Sequence, residues 1–306
     1  MKRLLNLHQA STPTPLSEDL QLRIGQAALM AQRAARHTFR HLWDAEVCVF
    51  SQWGEDGILD YLCDLTGISK PRVVEFGAGD FTECNSRCLA ENRSASVLAV
   101  DARTDLESSV MRRDIRWRTT VIPRTEWITP DTAPLAMAAA HEAFGGVDIV
   151  SLDIDGNDYW VAESLPLEGV SIVVVEYNPA FGHERSVTVP RDDQFDRTAA
   201  HFSWVYYGAS LRAFIELFAD KGLTFVGTNR ACNNAFFLRS VPDSLPFPVP
   251  GADLSRFTDV RFREARNESG VLALEHPSAI LRRSPELALV DTASSTLTNL
   301  GAVLGR

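Results

Sequence analysis

Paired cysteines are missing from this chain. It has five, Cys48, Cys63, Cys84, Cys88 and Cys232, an odd number with no Cys-x-x-Cys spacing, so neither a disulfide framework nor a zinc ribbon is indicated. Cys84 and Cys88 share a helical spacing and read as small buried residues with free thiols. No apolar run approaches the roughly 18 residues of a membrane span, and Met1–Ala10 is too short in apolar length for a signal peptide. Positive charge is also short. Lys and Arg total 30 against 40 Asp and Glu, a formal charge of −10, which argues against general binding to nucleic acid or to an anionic membrane, since phosphate neutralisation needs a basic face. A cytoplasmic protein with neither kind of partner is the expectation.

What is present is a chain of 306 residues, 45% hydrophobic, enough for one large α/β domain with attachments or for two small domains. Its most informative stretch is Arg72-Val-Val-Glu-Phe-Gly-Ala-Gly-Asp-Phe81. A β-branched run reaches an acid, Glu75, and Gly77 and Gly79 then lead to a helix expected from about Glu83. Glycines serve such a turn because it needs positive φ and lets a ligand approach bare backbone. The third glycine of a dinucleotide loop is lacking, and Asp80 stands where it would repel a phosphate. S-adenosylmethionine has no phosphate and carries a sulfonium and an ammonium, so acids at Glu75 and Asp80 favour it over a dinucleotide. A second strand, Ser96–Val100, ends at Asp101, whose carboxylate is suited to accept hydrogen bonds from both ribose hydroxyls.

Residues 1–46 read as a polar arm followed by a helix that starts at the N-cap Ser17, with Leu20, Ile24, Ala27, Ala31, Ala35, Thr38 and Leu42 on its buried face. Arg33, Arg36 and Arg40 fall on a face expected to be solvated. Residues 47–240 form the expected cofactor domain. Gln52, Glu55 and Asp56 precede its first strand, where they either rim the pocket or cap the next helix. Further strands are expected at Arg116–Ile122, Val147–Leu152, Val170–Val175, Leu223–Val226 and Ala235–Leu238, with helices at Pro134–Phe144 and Leu211–Ala219. Strands alternating with helices predict a doubly wound parallel sheet. Residues 241–306 comprise a proline-rich linker to 251, a hairpin around Asn267–Gly270, and an end with no readable pattern.

Ligands of open α/β sheets sit outside the carboxyl ends of the strands. Glu75, Asp80, Asp101, Asp153, Asp155, Glu176 and Asn178 all fall there. Asp153, Asp155, Glu176 and Asn178 suit a hard divalent ion such as Mg²⁺, which would bind an acceptor hydroxyl and lower its pKa; the alternative is that Asp155-Gly156 and Asn178-Pro179 merely make turns. For proton removal, His183 near the fifth strand tip is the candidate base; Asp153, after the fourth strand, is the second candidate catalytic residue. Trp53, Trp127, Trp160 and Trp204 are candidates for an apolar acceptor pocket, with core or lid packing the alternative, and Arg112, Arg113, Arg116, Arg118 and Arg124 for an anionic group on the acceptor, with an exposed strand and its loops the alternative.

With Phe50-Ser-Gln-Trp-Gly-Glu-Asp56, Val74-Glu-Phe-Gly-Ala-Gly79, the Asp101 tip and Leu152-Asp-Ile-Asp-Gly156 in this order, the chain resembles FkbM-like S-adenosylmethionine-dependent methyltransferases over roughly residues 48–240. The resemblance implies a class I methyltransferase (Rossmann-like) fold of seven strands, mostly parallel with a reversed last strand. It implies methyl transfer to oxygen, with Glu75, Gly77 and Gly79 at the methionine end of the cofactor and Asp101 at its ribose. Asp80 and Gln52 complete the expected cofactor set. A family Lys-x-Asp-x-Glu-Gly is replaced here by Ser151-Leu-Asp-Ile-Asp-Gly156, so a lysine at the reacting group is absent. The expected acceptor is a hydroxylated small molecule, a sugar or secondary metabolite. Oligomeric state is left open, a homo-oligomer included. The competing readings are a metal-dependent glycosyltransferase using Asp153-x-Asp155 and a non-catalytic cofactor-binding module.

Overall fold

The computed structural model describes residues 17–305 apart from 114, 116, 252, 259–264 and 274. The expected 1–16 arm and the first half of the hairpin before Asn267 lie outside the described residues. A turn at 267–270 closed by an Arg266–Leu272 bridge represents the rest of that hairpin.

Seven strands form the main sheet: β1 Arg72–Phe76, β2 Ser96–Asp101, β3 Val121–Thr125, β4 Ile149–Leu152, β5 Ile172–Glu176, β7 Thr224–Thr228 and β8 Asn234–Leu238. Their spatial order is β3-β2-β1-β4-β5-β8-β7. The first five run parallel, while β8, last of these seven in chain order, is antiparallel to both β5 and β7. This is the doubly wound, mostly parallel arrangement of a class I methyltransferase fold, with the last strand reversed.

Its core follows the period-2 rule of strands. Val74, Phe76, Val150, Leu152, Val173 and Val175 face one layer, which holds α5 Ala133–Phe144, α6 Asp158–Ser164 and α8 Leu211–Asp220. Val73, Ile149, Ile172 and Val174 face the other, which holds α2 Glu55–Leu65, α3 Arg87–Arg93 and α4 Leu106–Arg112. Helices on both faces explain why the central strands are nearly continuous apolar runs.

Two expectations need correction. The third strand lies at Val121–Thr125, not Arg116–Ile122, because its pairing with β2 runs from Val97–Val121 to Asp101–Thr125 and Trp117–Arg118 turn instead. It tolerates Pro123 because it is an edge strand whose missing donor faces no partner. The first helix, α1 Glu18–Ala35, begins as expected at Ser17, whose side chain accepts from the Leu20 amide. It buries a different face: Leu22, Gly25, Leu29 and Gln32 are inside, while Leu20, Ile24, Ala27, Ala31 and Ala35 are exposed.

A smaller three-stranded sheet joins β6 Val187–Thr188 to the C-terminal strands β9 Ala288–Asp291 and β10 Thr296–Asn299 in the order β10-β9-β6. Around it pack α9 Pro277–Leu281 and α10 Leu300–Val303, with Phe181, Val205 and Tyr206 of the preceding segment. A short helix, α7 Arg197–Ala200, lies in that segment. No described helix is long and apolar enough to cross a membrane. All five cysteines are free.

Candidate functional site

The turn after β1 is shaped by its neighbours. Gly77 has φ +87°, and a Cβ there would fall 1.6 Å from the Asp153 carbonyl oxygen, so no side chain fits between β1 and the end of β4. Gly79 has φ +58° and open space beside it. The Gly77 and Ala78 amides both donate to the Val100 carbonyl, at 2.9 and 3.2 Å, which stitches the turn to the end of β2. Asp101 completes that stitch: one oxygen accepts from the Gly79 amide at 2.7 Å and the other from the Arg103 amide at 2.8 Å. A carboxylate has about four acceptor positions, so Asp101 keeps capacity for ligand hydroxyls.

These residues open into a cavity of about 410 Å³ at the carboxyl ends of β1, β2 and β4. Its wall includes Gly77, Gly79, Asp101, Arg103, Asp153 and Asp155. Trp127, Asn157 and Phe195 also line it. The segment 189–196 is pinned there by three contacts. The Trp127 indole donates to the Asp193 carbonyl at 2.6 Å, Asn157 exchanges hydrogen bonds with the Asp192 backbone, and Phe195 covers Gly156 so closely that a Cβ would meet its ring at 2.5 Å.

The expected cofactor residues divide. Gly77, Gly79 and Asp101 line this cavity; Glu75, Asp80 and Gln52 do not. Glu75 is buried under the loop, where its oxygens accept from the Asn85 amide at 2.7 Å and from the amide and hydroxyl of Ser86. This delays the helix, which starts at Arg87 and not near Glu83. Burial pushes the Glu75 carboxyl up, against the pull of these hydrogen bonds. Asp80 turns back to the Thr82 amide at 2.9 Å. Burial raises its pKa, but the Thr82 hydrogen bonds with the Arg103 and Arg113 charges outweigh that and hold it below the usual range. Gln52 is exposed. Its neighbours are structural: Asp56 holds the 49–51 backbone, and Glu55 accepts from Asn229 at 2.6 Å and Asn234 at 3.0 Å.

Of the proposed ion ligands, Asp153, Asp155 and Glu176 come together, each offering an oxygen within 4.8 Å of the others. Asn178 does not join them. It is fully buried, its oxygen accepts from the Ala180 amide at 3.0 Å, and its amide donates to the Val205 and Tyr207 carbonyls at 2.8 and 3.0 Å. Burial raises both Asp153 and Glu176 well above the usual carboxyl range, and Asp155 and Asp158 raise both further; Asp153 also raises Glu176, whereas hydrogen bonding to Glu176 pulls Asp153 part of the way back. Asp158 is a turn-holder whose oxygens accept from the Ile154 and Gly156 amides, both at 2.9 Å. Arg197 offsets part of the charge, reaching Asp155 at 2.6 Å.

His183 lies elsewhere. It lines a separate cavity of about 570 Å³ with Arg185, His276 and Arg282, between the segment after β5 and the C-terminal helices. The tryptophans also part company: Trp127 lines the cavity at the strand tips, while Trp160 donates to the Val189 carbonyl at 2.9 Å and Trp204 lies under Arg266. In the arginine cluster, Arg124 pairs with Glu126 and Arg113 donates to Thr82. Residues that the sequence reading missed are Arg103, Asn157, Phe195, Arg197 and Tyr207. Asn157 alone carried a local signal, its place two residues after Asp155.

No protein-family model and no curated protein sequence matches the chain. Among solved structures it is similar to coclaurine N-methyltransferase bound to N-methylheliamine and SAH, with 14% identity over 70% of this chain and 66% of that one, at a TM-score of 0.36. It is similar to human N-acetylserotonin methyltransferase in complex with SAM, with 11% identity over 72% of this chain and 56% of that one, at 0.32. It is also similar to the cyclase SpnF, with 12% identity over 67% and 73%, at 0.35. A likeness this distant, which includes a cyclase, leaves function to be read from this chain's own residues.

Proposed function

We propose that this protein is an S-adenosylmethionine-dependent methyltransferase of FkbM-like type that methylates an oxygen of a hydroxylated small molecule. The observation that carries the reading is the cavity at the β1, β2 and β4 tips, where two glycines expose backbone and Asp101 and Asp155 supply negative charge. That charge suits a sulfonium and an ammonium and opposes a pyrophosphate. A sugar nucleotide would ask for basic partners. The one basic side chain among the lining residues, Arg103, is already paired with Asp105 at 2.8 Å.

The cofactor would supply an activated methyl group, and the protein then has to align an acceptor and take its proton. Asp101 would hold the ribose. Asp153, which lines the same cavity, would accept the acceptor's hydroxyl proton; His183 is withdrawn from that role because it lines a different cavity. As the new O–CH₃ bond forms, the S–CH₃ bond breaks and S-adenosylhomocysteine is left. Trp127 and Phe195 cover the site and limit water.

Calorimetric titration of S-adenosylhomocysteine into the protein and into Asp101→Ala tests this. The expected result is micromolar binding that the substitution weakens by roughly 2 kcal/mol, the scale of lost charged hydrogen bonds. Absence of binding to the unsubstituted protein would remove the reading. Tight binding without turnover on a panel of hydroxylated acceptors would favour a non-catalytic module.

A further inference from the structure

The Asp153, Asp155 and Glu176 oxygens approach within 4.8 Å of one another, and two features make this more than a cluster of acids. Glu176 is 7% exposed, and its two oxygens are unequal. Oε1 accepts from the Tyr207 hydroxyl at 3.2 Å, whereas Oε2 is buried with no hydrogen-bond donor facing it. An unpaired buried carboxylate oxygen is costly. The acidic neighbours beside it can bond it only by carrying a proton. The second feature is Arg197. It approaches the cluster from α7, ion-paired to Asp155 at 2.6 Å and 5.5 Å from the centre of the Tyr207 ring. A positive charge is therefore already drawn to the place where three carboxylates converge.

We propose that Asp153, Asp155 and Glu176 form a site for one hard divalent cation, Mg²⁺ or Mn²⁺, that exchanges with Arg197 for the Asp155 carboxylate. Oxygen-only ligands select this class of ion over zinc or copper. Three protein oxygens leave coordination positions open, and Asp153 and Asp155 also line the cofactor cavity, so those positions face it. Asn178 is no ligand, since its carbonyl oxygen is held by Ala180. In the unloaded state Arg197 neutralises Asp155; on loading, the ion takes that oxygen and the guanidinium gives it up. The existence of the site does not depend on methyl transfer. What the ion does there, orienting an acceptor oxygen and favouring its deprotonated form, rests on that reading.

Two titrations separate the two ideas. Mn²⁺ is titrated into the full chain with free Mn²⁺ followed by electron paramagnetic resonance, and S-adenosylhomocysteine binding is measured calorimetrically in metal-free buffer. One Mn²⁺ per chain, displaced by excess Mg²⁺, is expected. Glu176→Gln should weaken Mn²⁺ at least tenfold, and Arg197→Gln should tighten it several-fold by removing the competing charge, an effect that general damage to the fold would not produce. The proposal is overturned if the protein takes up no Mn²⁺ or if Glu176→Gln binds it as the parent does. Arg197→Gln binding no tighter than the parent would remove the exchange. S-adenosylhomocysteine binding without Mn²⁺ uptake would sink the ion site and leave the methyl-transfer reading standing; Mn²⁺ uptake without S-adenosylhomocysteine binding would do the reverse.

Discussion

Asp56 lies wholly inside the protein beneath the loop it holds. One of its oxygens accepts from the Val49, Phe50 and Ser51 amides at 2.8, 2.6 and 2.8 Å, while the other meets no donor. Burial pushes its pKa up to about 7, although the three amides pull it down. A carboxyl whose folded pKa lies above its unfolded value contributes stability that is complete below the unfolded value, near 4, and is lost as pH rises through the folded one. Stability relative to Asp56→Asn should therefore fall between pH 4 and 7 by up to about 4 kcal/mol and level off above. Urea unfolding of both proteins at pH 4, 5.5 and 7 checks this, and a pH-independent difference would refute it. Asp56 also shows what a sequence conceals at this scale. Spacing placed acids at strand tips and loop starts correctly, but not whether their own backbone already occupied their lone pairs. Asp80 is spent on an amide two residues on, Glu75 on groups ten and eleven residues on, and Asn178 on Ala180 and the Val205 and Tyr207 carbonyls, whereas Asp101 retains an opening to the cavity. That distinction depends on loop conformation, which no residue pattern encodes.

Among the elements, α1 departs furthest from its pattern. Its apolar stripe suggests a buried face through Leu20, Ile24 and Ala31, yet the contact runs through Leu22 and Leu29, packed with Val49 and Phe50, together with polar groups. Gln32 donates to the Ala45 and Gly57 carbonyls at 2.6 and 2.8 Å, and Gly25 admits Val49, which would lie 2.4 Å from a Cβ. Arg33 and Arg36, expected in solvent, reach Asp60 of α2 at 2.9 and 3.1 Å, and Arg93 of α3 meets the same carboxylate at 2.7 Å. Hydrophobic periodicity does not register the hydrogen bonds and ion pairs that select the Leu22 and Leu29 face over the Leu20 and Ile24 one. Asp60 is 1% exposed in its side chain and ties three arginines. Asp60→Ala would leave Arg93, itself 7% exposed, beside an unfilled space. A loss of roughly 3 kcal/mol or more follows from breaking a buried pair on one side. Hydrogen exchange should show α1 amides losing protection first, while those of β4 and β5 keep theirs. Equal loss across the sheet would mean that Asp60 acts on the whole fold. The parallel strands were far more legible, because both faces of β1, β4 and β5 are covered and each reads as an unbroken apolar run. The edge strand β3, paired on one side only, was displaced by several residues.

For the molecule as a whole, the C-terminal segment is part of the structure that roofs the site. It read as an extension without pattern because its partner is remote: Val187 pairs with Asp291 and Thr188 with Val290, about a hundred residues away, and β6 is two residues long. Pairing across such a separation leaves no local trace in the sequence. The consequence is mechanical. Leu289, Ile280, Leu281 and Leu300 pack against Phe181, Val187 and Tyr206, and the Tyr206 hydroxyl donates to the Ala288 carbonyl. The same chain segment between β6 and Tyr206 carries Asp192 and Phe195 over the cavity, and Arg197 toward Asp155. Deleting residues 277–306 would uncover this apolar cluster, at about 25 cal/mol for each Å² returned to water, and loosen the roof. The main sheet contributes no residue to that cluster and should persist. The truncated chain should therefore keep its circular dichroism but bind a hydrophobic dye, and its affinity for S-adenosylhomocysteine should fall at least tenfold. Unchanged affinity would mean that the roof is held by Trp127 and Asn157 alone, since those contacts come from the main domain and survive the deletion.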